Sequence, residues 1–429
     1  MNDTHVLIIG AGATGLMAAH ILSKAGKKIT ILEARDRCGG RIHTIDDIEL
    51  GAEFIHGDLP VTLNLLKEAG ITIQPANGEM WHYRGGKFTN ERGFMDDWGL
   101  LMEKLQKQHK DISINEFLAK EFPGDDYNEL KDSVRAFASG YDTADPDVAS
   151  TFALRSEWLN DDEGAQHRVK GGYAAMIDYL EEEINDAGGK IILNSVVKEI
   201  EWSRGRAKAI TADDKIFEAE KLLLALPLGV LKADKNEKAA ITFTPPIPRQ
   251  VDALNKMGFG AIIKVLLKFD EPFWEDEQTE ALAGKSLKTM AFLLSDEEIP
   301  TWWTQTPQHS TVLTGWLGGP AAEAKKTSTD DELFNLSLQS LSNIFKRSVA
   351  DLQEKLLFSS VANWTIDPFT LGSYAYDTVE SSSARKVSEE PVEGTLFFAG
   401  EYLYEGPAMG TVEAALTSGK EVAEKMDHD

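Results

Sequence analysis

Residues 5–15 read HVLIIGAGATG, and residues 28–33 read KITILE. The apolar run His5–Ile9 predicts a buried strand, and Gly10, Gly12 and Gly15 then fall at the spacing GxGxxG. The three glycines serve separate ends: Gly10 makes the tight turn, Gly12 keeps a Cβ away from an approaching pyrophosphate, and Gly15 lets helix and strand pack closely. A helix follows to about Ala25 and a second strand runs Lys28–Leu32, which completes one βαβ unit. The unpaired N–H groups of the first helical turn, with Ala13 and Thr14, and the positive end of the helix dipole are where a pyrophosphate would sit. Glu33 ends the second strand about 20 residues on, where a carboxylate accepts hydrogen bonds from ribose hydroxyls. Such an acid suits FAD or NAD and disfavours NADP, whose 2′-phosphate it would repel. Beyond Ala34, Gly39 and Gly40 allow a close turn, and Arg41 directly after them can fork onto a phosphate.

Outward from this unit, the pattern predicts a helix with Met176, Leu180 and Ile184 on one stripe, stopped by Gly188 and Gly189, and a strand Lys190–Leu193. Lys198–Trp202, Ala207–Ala212 and Ile216–Ala219 read as a meander, and Leu222–Leu226 and Leu396–Ala399 as buried strands. Val412, Ala415, Leu416, Gly419, Val422, Ala423 and Met426 mark a final amphipathic helix. The stretches Trp81–Trp158, alternating helical patterns and turns, and Thr242–Leu357, with mixed strands and acidic helices, interrupt this series. The chain therefore reads as a cofactor domain assembled from separated segments, with two insertions forming a second domain.

The 429 residues suffice for two domains, and 70 acidic against 44 basic side chains disfavour nucleic acid or anionic membranes as partners. One cysteine, Cys38, rules out an intramolecular disulfide framework, and the scattered histidines predict no metal site. The polar MNDT start lacks the features of a secretory signal, no apolar run reaches membrane-spanning length, and the chain ends in EKMDHD. The expectation is a cytoplasmic protein; its oligomeric state is not legible.

After the fingerprint with EARDRCGGR come GAEFIHG from Gly51, KGGY from Lys170, LLLALPLGVL from Leu222, GFGAIIKVLLKFDEPFW from Gly258, NWTIDPFTLGSYAY from Asn363 and FFAGEYLYEGPAMGTVEAALTSG from Phe397. In this order, over nearly the whole length, they resemble the flavin-containing amine oxidase family, which includes monoamine oxidases, polyamine oxidases and lysine-specific histone demethylases. The resemblance implies an α/β fold: a discontinuous, Rossmann-like FAD domain of the glutathione-reductase type (1–75, 168–233 and 361–429) with an α+β substrate-binding domain (76–167 and 234–360). It places Glu33 at the adenosine ribose, Arg35 and Arg41 along the ADP moiety, and the Val197 backbone at the adenine. Glu53, Phe54 and Gly400 are implied beside the cofactor, with Glu401 at its ribityl-pyrophosphate region and the Thr411–Val412 backbone at the flavin pyrimidine edge. A helix N-terminus there suits the negative charge that reduction places near N1.

The segment AIIKVLLKF reads as a strand with Ile262, Lys264, Leu266 and Lys268 on one face. From the residues alone both lysines face solvent; the resemblance selects Lys264 as the lysine that reaches flavin N5 through a water and assists reoxidation by O2. It also implies Tyr374 as an aromatic wall for substrate, with Thr411 where many members carry a second ring. Trp364, Tyr402 or Tyr404 are candidates to compensate, and His56 for substrate contact. Ser373 occupies the place of the flavin-linking cysteine of monoamine oxidases, so FAD is expected to be non-covalent. The implied reaction is oxidative deamination of a small-molecule amine with O2. The alternatives are an L-amino-acid oxidase, a protoporphyrinogen oxidase or desaturase-like enzyme, and an FAD-bound scaffold. Histone demethylation is not expected, because the sequence shows no extra N-terminal chromatin domain and no long helical insertion.

Overall fold

A computed structural model describes residues 5–90, 97–160 and 166–428. The N-terminal MNDT and the last residue of EKMDHD, on which two expectations rest, lie outside them.

Five parallel strands form the central sheet, in the order Lys190–Ile192, Lys28–Leu32, His5–Ile9, Lys221–Leu224, Leu396–Phe398. Their runs are continuously apolar because both faces are covered. Val6, Ile8, Ile29 and Ile31 pack with the helices Ala13–Lys24, Ala174–Asp186 and Val412–His428 in one core. Leu7, Ile9, Leu222 and Leu224 face the opposite way, onto Val197, Ile200, Ala207 and Ala209 of the meander. That meander (Val197–Ser203, Arg206–Thr211, Ile216–Ala219) gains a fourth, parallel strand, Thr242–Thr244.

The second large element is a seven-stranded sheet in the order Leu356–Asn363, Ile262–Phe269, Val312–Gly318, Thr301–Trp303, Met290–Ser295, Glu79–Arg84, Lys87–Thr89. Its core includes Ile263, Val265 and Leu267, packed with Leu338, Leu341 and Phe345 of the helix Asp330–Phe345. Four helices, Trp98–Gln106, Ile114–Glu121, Asn128–Gly140 and Thr151–Asn160, make a separate apolar cluster.

Two sequence expectations change. The helical reading from Trp81 gives way to the strand Glu79–Arg84, because Trp81 and Tyr83 are buried at period two. Strand pairing also crosses the expected domain boundaries in three places. Gln166–Val169 joins Phe54–His56 and Ile73–Pro75; Thr242–Thr244 joins the meander; Leu356–Asn363 pairs throughout with Ile262–Phe269. The two-unit division stands as a proposal.

Candidate active site

Backbone groups build one end of the site. Gly10 has φ 104°, and a Cβ there would lie 2.4 Å from the Ala225 carbonyl oxygen; one on Gly15 would lie 2.0 Å from the Gly10 oxygen. A Cβ on Gly12 meets no protein atom within 4 Å. Gly12, Ala13 and Thr14 line a cavity, and the helix they open has no side-chain cap, so its first donors face open space. Glu33 is buried beside them, its carboxylate accepting from the Ala11 N–H at 2.8 Å and the Arg35 N–H at 2.9 Å. Ala34, Gly40 and Val197 line the same wall. An uncapped helix N-terminus, a bare Gly12 and a fixed carboxylate fit the ADP half of a dinucleotide.

The cavity is continuous, about 2150 Å³ in volume, beyond the ~300–1,000 Å³ of an ordinary ligand pocket. It runs past Arg41, Gly400 and Glu401 to Phe54, His56, Trp364, Tyr374, Thr411 and Val412. Arg41 donates to the Ser373 carbonyl at 2.6 Å and to Glu401 at 2.9 Å, and Glu401 also accepts from the Ala375 N–H at 3.2 Å. Arg35 lines the cavity too, but its guanidinium is committed to Asp367, at 3.0 and 2.5 Å, and to Thr370 at 3.0 Å. That fork fixes the loop around Trp364–Thr370 and leaves Arg35 less suited to a phosphate than the resemblance implies.

Lys264 is 1 % exposed and does not itself line the cavity. Its ammonium lies behind Gly51 and Glu53, which do, donating to Glu53 Oε2 at 2.6 Å and to the Gly51 carbonyl at 3.3 Å. The solvent-facing reading therefore fails for Lys264 and holds for Lys268, which is exposed. Glu53, implied as a cofactor contact, is the hub of this cluster. Its Oε1 accepts from Trp303 Nε1 at 2.9 Å and from Arg168 Nη1. Burial alone would raise its carboxyl, but Lys264 and Arg168 outweigh that and pull it down to about 2. Removing one partner from such a buried group costs about 3–5 kcal/mol.

Tyr374 packs its ring against Gly410, next to Thr411, and its hydroxyl donates to the Tyr141 carbonyl. The Thr411 hydroxyl accepts from the Ala414 N–H at 3.3 Å and so also caps the last helix. His56 stands edge-on to Tyr141 at 5.6 Å, and burial lowers its imidazole to about 4, which keeps it neutral at pH 7. Trp364 reaches the cavity from a cluster with Leu50, Ile262 and Leu266, its indole donating to the Leu50 carbonyl at 2.9 Å. Tyr402 is buried in the core and neither it nor Tyr404 lines the cavity. The Ser373 side chain bonds Thr143 at 2.6 Å, and Cys38, the chain's only thiol, is buried outside the cavity lining.

Sequence reasoning misses several residues that share this space. Tyr141, Trp303 and Trp316 add aromatic walls, and Asp142 and Glu157 form a hydrogen-bonded carboxyl pair. Burial pushes Asp142 up to about 7, against the opposing effect of its bond to Glu157. None stands in a stretch with a chemical signature. Elsewhere one histidine, His20, comes together with Glu68 and Glu183. Lys24 already neutralises both of these carboxylates, at 3.0 Å from each. Among the described residues no helix is long and apolar enough to cross a membrane.

Cavity and glycine cradle together define a dinucleotide-binding protein, and comparison with known proteins gives the family. Residues 13–427 match the flavin-containing amine oxidoreductase model. The human lysine-specific histone demethylase 2 is 28% identical over 93% of this chain and 50% of its own length. The probable polyamine oxidase 4 of Arabidopsis thaliana is 25% identical over 97% and 86%. The chain spans half or less of the length of several of the curated demethylases it matches. A putrescine oxidase structure superposes with TM-score 0.80 at 22% identity, and cyclohexylamine oxidase from Brevibacterium oxydans with 0.80 at 18%, each covering 99% of both chains. These structural likenesses establish the fold. The chain belongs to the flavin-containing amine oxidoreductase family; it is a flavin-dependent oxidoreductase whose cofactor is FAD.

Proposed function

We propose that this chain oxidises a primary or secondary amine, mono- or polyamine, with O2 as the final acceptor. One observation carries the reading: a single cavity runs from Glu33 and the uncapped helix to Tyr374 and His56, with a buried ammonium beneath its floor. FAD, held by Gly12, the Ala13–Thr14 helix start, Glu33 and the Thr411–Val412 backbone, would supply the redox chemistry: a two-electron acceptor for the hydride lost from the carbon beside the substrate nitrogen, with O2 as the final oxidant giving hydrogen peroxide and water hydrolysing the imine to an aldehyde and the freed amine.

The protein's part is recognition and exclusion. Tyr374, braced by Gly410 and the Tyr141 carbonyl, offers a fixed aromatic face to a substrate amine. His56, neutral, can accept a hydrogen bond from a substrate N–H without repelling it. Lys264 places positive charge behind Gly51 and Glu53, where negative charge developing on reduced oxygen is stabilised. The Asp142–Glu157 pair favours a cationic substrate and opposes a carboxylate, which supports an amine over an amino acid.

The test is anaerobic mixing of the FAD-loaded protein with mono-, di- and polyamines and with L-amino acids. Amines should bleach the flavin absorbance and amino acids should not; no bleaching by any amine ends the proposal. Denaturation should release all flavin to the supernatant. Cell fractionation should find the protein in the cytoplasm.

A further inference from the structure

We infer that Glu53 is the positioning residue for Lys264: its carboxylate fixes the ammonium beside Gly51 and supplies the negative partner in a buried cluster that otherwise holds two cations. The inference rests on the reading of Lys264 in the proposed function and gives its neighbour a role different from a direct cofactor contact.

The geometry divides the labour between the two carboxylate oxygens. Oε2 is given to Lys264 at 2.6 Å, while Oε1 accepts from Trp303 at 2.9 Å and from Arg168. Arg168 is fixed from behind, donating to the carbonyls of Thr304 at 2.9 Å and Thr306 at 3.0 Å and to the side chain of Gln305 at 3.3 Å. Glu53 therefore cannot swing away from Lys264 without also breaking the two contacts that Trp303 and Arg168 make to Oε1. Glu53 follows directly on the Gly51 loop, Arg168 comes from the strand Gln166–Val169, and Lys264 from the seven-stranded sheet. The carboxylate thus ties the cavity floor to that sheet at the point where the ammonium stands.

Charge gives the second argument. Arginine is a permanent cation in proteins. With Glu53 ionised the three groups sum to one positive charge; without it, two cations would lie buried side by side, and the lysine is the one able to relieve this by losing a proton. Among the described residues Glu49 also feels the Lys264 charge; it is held by the Tyr173 N–H at 2.6 Å and by Thr44 at 2.8 Å, and raised by burial. It is unchanged in every variant compared below and so does not by itself account for a difference between them.

The experiment uses FAD-loaded protein, reduced chemically so that no amine is needed. Two quantities are followed against pH: the rate of reoxidation by O2 and the flavin midpoint potential from dye-equilibrated titration. In Glu53→Gln, the alkaline limb of the rate and the matching break in the potential should move at least about one pH unit toward acid. Both should vanish in the double variant Glu53→Gln/Lys264→Met. Superimposable wild-type and Glu53→Gln profiles, or a limb that survives in the double variant, overturn the inference. Where Glu53→Gln does not accumulate with FAD, Glu53→Asp decides. It keeps the charge but shortens the reach, so the limb stays in place and reoxidation slows at least about threefold; a wild-type rate overturns the inference. Lys264→Met alone separates the two claims. An unchanged reoxidation rate there removes Lys264 from the reaction, whereas a slowed rate with no Glu53→Gln effect defeats only the role given to Glu53.

Discussion

The two ends of the cavity are made of different material. At the Glu33 end the chain presents glycines, helical N–H groups and one carboxylate whose partners are the N–H groups of Ala11 and Arg35. At the Tyr374 end it presents side chains: a buried Lys264–Glu53–Arg168 cluster, the Asp142–Glu157 pair, a neutral histidine and several aromatic rings. Main-chain recognition draws on one local unit and is insensitive to pH. The side-chain end gathers residues from strands and helices far apart in sequence, and its charges depend on burial. The first end is therefore broken by volume, the second by charge and pH.

The largest effect is expected at Gly15. A valine there must displace the Gly10 carbonyl, 2.0 Å from a Cβ, in the tightest part of the βαβ unit. Overpacking of this kind costs about 1–3 kcal/mol or more, so the apoprotein should melt several degrees lower and hold no flavin. Gly12→Val sharpens the point, because its Cβ meets no protein atom within 4 Å. The apoprotein's melting temperature should stay within about a degree of wild type, while FAD retention after gel filtration is lost. Equal destabilisation by both would show that Gly12 faces protein and not cofactor.

Next in size is a pH effect at the other end. Burial holds the Asp142 proton up to about 7, whereas the unfolded chain releases it near 4. Between those values the native state binds more protons, so this group makes stability fall as pH rises through that window. Asp142→Asn should flatten the fall, gaining about 2 kcal/mol at pH 8 in denaturant melts, less than the shift alone implies because the side chain also meets cavity solvent. The same variant should weaken binding of cationic amines, with KM rising most above pH 7, where Asp142 has lost its proton. A pH-independent KM change would leave Asp142 as packing only.

The contrast also explains what can be read from sequence. Strand runs such as His5–Ile9 and Lys221–Leu224 are visible because a sheet covered on both faces demands unbroken apolar stretches, and the glycine spacing is visible because a pyrophosphate admits few alternatives. Lys264 is not readable by periodicity: its strand is buried on both faces, and only Lys268 obeys the alternation. Arg168, Trp303 and Asp142 carry no local signature at all. The role of Arg168 arises when Phe54–His56 pairs with Gln166–Val169, placing Phe54 opposite Arg168, and no short-range pattern specifies that register. Strand Glu79–Arg84 escapes for a related reason, since two alternations, Trp81 and Tyr83, are too few to outweigh the helical stretches beyond.

The smallest expected effect belongs to His56, and it tests whether neutrality matters there. Burial lowers its imidazole to about 4, so the native state binds fewer protons than the unfolded chain between about 4 and 6.5. Its contribution to stability is complete above about 6.5 and is lost as pH falls through the native value. The substitution His56→Gln keeps a hydrogen-bonding group but cannot take up a proton. At pH 7.5 this variant should therefore leave stability within about 0.5 kcal/mol and change KM for amines only a few-fold. Below pH 5 it should melt at a higher temperature than wild type, because the cost of a buried imidazole that must either stay neutral or charge is gone. Identical acid-side melting of the two proteins would mean that His56 is solvated in the cavity, and its neutrality would then cease to distinguish this end from the other.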